Sequence, residues 1–113
     1  MNHILKEIRL RIVEISDLQL QRKIWLNENN DTGLESSYDE LICTLFDDFN
    51  FEKFVKYYAK EYGLKNSVIS ELRILKDMLN NYKAKDSYEG IIEDKEWKKI
   101  SLQAKIIIKM WKE

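Results

Sequence analysis

Residues 94–111 read DKEWKKISLQAKIIIKMW, and their spacing decides the fold class. Trp97, Ile100, Ala104, Ile107, Ile108 and Trp111 recur at intervals of three and four, the period of a helix with one buried face. Asp94 stands just ahead of them, where a carboxylate can accept a backbone N–H of the first turn. At about 100° per residue, Lys98, Lys105, Lys109 and Lys112 fall on one broad arc, away from the tryptophans. The stretch predicts an amphipathic helix whose lysine stripe is a solvated outer face over an aromatic core.

The same period recurs along the chain. Ile4, Leu5, Ile8, Ile12 and Ile15 predict a helix over 3–15, and Ser16 with Gln19 forms a capping-box pattern for a short second helix ending near Trp25. Asn27 to Ser36 is rich in Asn, Asp, Thr and Gly, whose local side-chain hydrogen bonds compete with helix, so it predicts a loop. Ser37 and Glu40 repeat the capping pattern ahead of Tyr38, Leu41, Ile42, Leu45 and Phe46, and Asp47–Asp48 oppose the negative end of that helix. Asn50 predicts the next cap, with Phe51, Phe54, Val55, Tyr58 and Tyr62 turned inward and Gly63 as the left-handed terminator. Asn66 or Ser67 would cap a longer helix bearing Val68, Leu72, Leu75, Leu79 and Tyr82, and Asp86 to Gly90 reads as a break.

Composition agrees with this pattern. Among 113 residues there is no proline and only three glycines, too few turn formers for an all-β chain. Hydrophobic residues make up 44%, enough to bury one core, while charged residues reach 35% against an average of about 25%. Short helices with wet faces would produce that excess. The expected product is an all-α, compact bundle of five to six short helices, with residues 1–113 forming a single domain.

One cysteine, Cys43, excludes an intrachain disulfide and a zinc-finger cluster, and points to a reducing compartment. The first fifteen residues carry five charges where a signal peptide would need an apolar run, and no apolar stretch is long enough to cross a bilayer. A cytoplasmic protein without membrane contact is expected.

Little in the chain suggests catalysis. Zinc needs four ligands, and one cysteine and one histidine are present. His3 reads as a solvated residue near the terminus, and Cys43 as a small buried residue in mid-helix. The glycines are too scattered for a phosphate loop, and the order around Asp31 and Gly33 does not match a calcium loop. Glu40 and Asp47 lie two helical turns apart, so a carboxylate site for magnesium or for acid–base work has to be weighed. It lacks the accompanying histidine or polar pocket, so neither an enzyme nor a cofactor is expected.

The distribution of charge is more informative than its net value of −1. Residues 1–23 carry +2, residues 53–113 carry +5, and residues 24–52 carry −8 with no lysine or arginine among them. Aromatic residues accompany these acids, namely Trp25, Tyr38, Phe46, Phe49 and Phe51. A negative field would speed association with a cationic protein, and one or two exposed rings would anchor it. The candidate partner-binding residues are Trp25, Glu28, Asp31, Glu35, Tyr38, Asp39, Asp47 and Asp48, with the aromatics as anchors.

The stretch from Ile24-Trp25-Leu26 through Glu35-Ser36-Ser37-Tyr38-Asp39-Glu40 to Leu45-Phe46-Asp47-Asp48-Phe49 resembles small all-helical bacterial immunity proteins that accompany polymorphic and contact-dependent growth inhibition toxins. The resemblance implies a compact inhibitor that occludes a cationic toxin domain with an acidic surface. The alternative is a regulatory or adaptor domain that binds protein or nucleic acid through the Lys-rich C-terminal helix. With a pI near 5.9, nucleic acid is the less expected partner, and exposed aromatics would equally support a homo-oligomer.

Overall fold

The computed structural model describes residues 2–111, and within them the chain forms seven helices and no strand. These are α1 (His3–Ser16), α2 (Leu18–Trp25), α3 (38–48), α4 (51–61), α5 (Asn66–Asn81), α6 (Tyr88–Glu93) and α7 (Lys95–Met110). A radius of gyration of 13.7 Å is close to the roughly 13 Å of a compact domain this long. The all-α expectation holds, with one helix more than the five to six expected.

The extra helix is α6. Its N-cap is Ser87, whose Oγ accepts from the Gly90 N–H at 3.0 Å, so Gly90 lies inside a helix that a glycine-marked break had hidden. Two other caps are displaced. Asp17, rather than Ser16, caps α2 by accepting from the Leu20 N–H, while the Ser16 hydroxyl donates back to the Val13 carbonyl. Helix α5 starts after Lys65 with no side-chain cap, so neither Asn66 nor Ser67 serves that role. Ser37, Asn50 and Asp94 cap α3, α4 and α7 as their positions predict. Gly63 ends α4 at φ +94, with its own N–H on the Lys60 carbonyl and the Leu64 N–H on the Ala59 carbonyl. That pair of bonds is a Schellman motif, which requires the left-handed conformation glycine tolerates.

Helix α7 is the central strut, packed against α1 on one side and α5 on another, with α6 leading into it. Its buried arc is Trp97, Ile100, Ala104, Ile107 and Trp111. Gln103 fixes the α5 contact by donating to both the Glu71 carbonyl and its carboxylate, at 3.0 and 3.1 Å. Lys112 lies outside the described residues. Helices α3 and α4 pack on one another, and α4 docks onto α5.

Both α3 and α4 contain π turns, over Thr44–Asp48 and Phe54–Tyr58, marked by bonds such as Phe49 N–H to the Thr44 carbonyl. A π turn inserts one residue and shifts every later side chain around the axis. In α4 this brings Ala59 into the core and turns Tyr58 out to solvent, reversing the expected placement of Tyr58. In α3 the buried row is Leu41 and Leu45, two residues out of phase with Cys43. Cys43 is therefore exposed, a correction to its expected burial.

Candidate functional site

The acidic segment spans the α2–α3 loop and α3, and its position depends on a buried polar core beneath it. Glu14 of α1 is buried. Its carboxylate accepts from the Trp25 indole N–H and from the Ser36 hydroxyl, both at 2.9 Å. The Ser36 N–H bonds the Ile24 carbonyl at 3.1 Å, so the end of the loop is held against α1 and α2. Beside it, the buried Gln21 donates to the Glu14 and Ile15 carbonyls and accepts from the Trp97 indole N–H at 2.9 Å. Glu14 Oε2, the Gln21 amide and both indole N–H groups thus have partners, which a buried polar group needs to avoid a desolvation penalty of about 1–3 kcal/mol.

This network corrects the assignment of Trp25. At 7% exposure, with its N–H committed to Glu14 and its ring against Tyr38, Tyr88 and Trp97, it is a core residue and offers nothing to a partner. Tyr38 is half-buried in the same cluster, edge-on to Trp97 at 5.5 Å. Burial, then the neighbouring Asp39 carboxylate, raises its pKa above the ordinary 10.0. Of the five aromatics in the segment, Trp25 and Phe51 are buried and Tyr38, Phe46 and Phe49 are half-buried, so none is an exposed ring.

The carboxylates divide into two sets. Glu28 meets Arg22 at 3.8 Å and Asp31 meets Lys23 at 3.1 Å, because the loop folds back over α2. Lys23 holds the Asp31 carboxyl below its ordinary pKa, chiefly through that hydrogen bond. Arg22 also bonds Glu93 of α6. The absence of cations within residues 24–52 is thus partly offset by cations from the preceding helix. Asp39 accepts from the Tyr88 hydroxyl at 2.9 Å. Glu35, Glu40, Asp47 and Asp48 are all exposed, and no side-chain cation sits within ion-pair distance of them among the described residues.

Glu35 and Glu40 are brought together at a cleft of about 200 Å³ between α1, the loop and α3, with Leu34 at its edge. Leu34 is 58% exposed, the one large apolar side chain that the loop presents to water. It was legible as a lone leucine in the polar run 27–37, although the spacing rules for helices give no reason to single it out. Among the described residues, no group of three or more His, Cys, Asp or Glu side chains is placed to hold a metal ion. No helix of the described residues is long and apolar enough to cross a membrane.

A larger cleft of about 640 Å³ opens between α5 and α7, lined by Ile74, Met78 and Ile100 with Tyr82, Lys85 and Asp94. Its titratable pair has a structural task. The Tyr82 hydroxyl donates to Asp94 Oδ2 at 2.7 Å, while Oδ1 of the same carboxylate accepts from the Glu96 N–H at the start of α7. The Tyr82 bond lowers the Asp94 pKa below 3.8, and burial, then the bond to Asp94, raises that of Tyr82 above 10.0. The signs define a window. Stability contributed by Asp94 is present above pH 3.8 and lost as pH falls below it. Stability contributed by Tyr82 is complete below pH 10.0 and is lost as pH rises beyond it. Tyr82→Phe should therefore flatten both limbs of a plot of melting temperature against pH. Limbs unchanged from wild type would show that this pair does not govern them.

Comparison with protein families, with curated proteins and with solved structures finds no match to this chain.

Proposed function

We propose that the protein is a binding domain that docks a cationic protein partner on its acidic face, acting as an immunity-type inhibitor that occludes a toxin. The observation that carries this reading is the set of exposed carboxylates that have no ion-pair partner among the described residues, Glu35, Glu40, Asp47 and Asp48, accompanied by exposed Leu34; Arg11, on the wall of the same cleft, is paired with Glu7. Leaving four like charges unpaired over residues 35–48 costs self-repulsion that scattered lysines would remove, as Arg22 and Lys23 do for Glu28 and Asp31. A basic partner supplies the missing charge, and Leu34 supplies an apolar contact beside the carboxylates. The buried Glu14–Trp25–Ser36 network holds the loop end in place before binding, which lowers the ordering cost. Toxin neutralisation follows from occlusion alone and requires no chemistry from the domain.

The test is capture of a partner from an extract of the protein's own source. Wild-type protein and a variant carrying Glu35→Lys, Glu40→Lys, Asp47→Lys and Asp48→Lys are run in parallel and eluted with a salt gradient. One stoichiometric basic protein should be retained by the wild type and lost from the variant. Equal retention by both proteins places docking elsewhere.

A further inference from the structure

The outer face of α7 carries a feature that the solvated lysine stripe does not explain. Leu102, Ile106 and Met110 are 59, 46 and 36% exposed and follow one another at four-residue spacing. Such an i, i+4, i+8 row is the ridge that one helix inserts into the groove of another. A single exposed leucine is ordinary; three in one row along a helix make a continuous apolar strip. Around the strip, α7 carries Lys95, Lys98, Lys99, Lys105 and Lys109 against one acid, Glu96, which pairs with Lys99 at 3.2 Å. Trp97 and Trp111 face inward, so the strip is aliphatic.

We infer that this face docks an acidic amphipathic helix of a partner protein, independently of the acidic face. The partner's apolar residues flank the Leu102–Ile106–Met110 ridge, and its Asp and Glu side chains meet Lys98, Lys105 and Lys109 along one side of it and Lys95 and Lys99 at its N-terminal end. Charge decides against a second copy packed through the same face, and the aliphatic strip decides against nucleic acid and membrane. A second copy packing α7 on α7 would oppose five lysines with five more. Nucleic acid would gain phosphate contacts from those lysines but would lose solvation against three aliphatic side chains, with no aromatic ring on the strip to stack on a base. An anionic membrane would accept the charges, but the ridge geometry is that of helix packing and the strip lacks the interfacial aromatic residues that favour bilayer insertion.

The experiment titrates isotopically labelled protein with a synthetic acidic peptide of about 20 residues, with leucines at helical spacing between glutamates. A scrambled peptide of the same composition, phosphatidylcholine–phosphatidylglycerol vesicles and a DNA duplex serve as competing probes. The ordered peptide should shift the amides of Leu102, Ile106 and Lys109 and bind at least about tenfold tighter than the scrambled one, a gap of about 1.4 kcal/mol. Leu102→Asp with Ile106→Asp should remove that advantage while the helical circular dichroism stays unchanged. Should that pair perturb folding, Ile106→Gln alone is read in the same way. Equal binding of the two peptides, unchanged binding by the folded variant, or a preference of the same amides for vesicles or DNA overturns the proposal. None of these readouts involves Glu35, Glu40, Asp47 or Asp48, so failure here leaves the acidic-face reading untouched, and the reverse also holds.

Discussion

Trp97→Ala should lower the melting temperature by about 15 °C or more and leave the near-ultraviolet circular dichroism signal largely lost. Trp97 is fully buried, and its ring lies 5.4 to 6.0 Å from those of Tyr82, Tyr38 and Trp25. Those rings come from α2, α3 and the segment after α5, so one side chain joins parts of the chain that are distant in sequence. Truncating a buried tryptophan costs about 3–5 kcal/mol through lost burial and the residual cavity. The Gln21 carbonyl oxygen also loses its N–H donor in a buried site, which adds about 1 kcal/mol or more. Against a total stability of about 5–15 kcal/mol for a domain of this kind, the loss is a large fraction. Trp97→Phe keeps a ring but deletes the donor, and should fall between wild type and alanine. A melting temperature for Trp97→Ala within about 5 °C of wild type would contradict the central placement of this residue.

Reversing Glu35, Glu40, Asp47 and Asp48 to lysine should slow association with the captured basic partner by ten- to a thousandfold at low salt, the range of electrostatic steering. The change raises the net charge of the face by about eight while touching only exposed side chains. Because the effect acts through a screened field, the association rates of wild type and variant should converge as ionic strength rises and the Debye length drops from about 30 Å at 0.01 M to 3 Å at 1 M. A slowing that persists at high salt would indicate lost short-range contacts. No slowing at low salt would remove the acidic face from the encounter. Glu28 and Asp31, already paired with Arg22 and Lys23, should contribute much less to the rate when reversed singly.

The helical content was legible because buried residues recur at a regular period and caps act locally. Ser37, Asn50 and Asp94 each cap a helix through atoms two or three residues away, which is why their types suffice to place them. The misplacements arise where a single insertion or a distant contact intervenes. The π turn over Phe54–Tyr58 exchanges Tyr58 for Ala59 in the core, and no residue type in FVKYY marks it. Burial of Trp25 depends on Glu14 and Trp97, eleven residues before it and seventy-two after, so the acidic composition around it misleads. The charge of the segment was correctly counted, but its field was not, since the loop returns over α2 and brings Glu28 and Asp31 to cations outside the acidic run. The proposed docking set keeps Glu35, Asp47 and Asp48 of the expected residues, adds Glu40, and takes exposed Leu34 in place of the aromatic anchors.

The most direct test of the acidic docking face is a chemical-shift map of the labelled protein with its captured basic partner. Docking on that face should shift the amides of residues 34–40 and 44–49 and leave α7 and the cleft beside Ile74 and Tyr82 unperturbed by that partner. Shifts confined to 95–110 or to the α5–α7 cleft, with 34–49 unchanged, would contradict it.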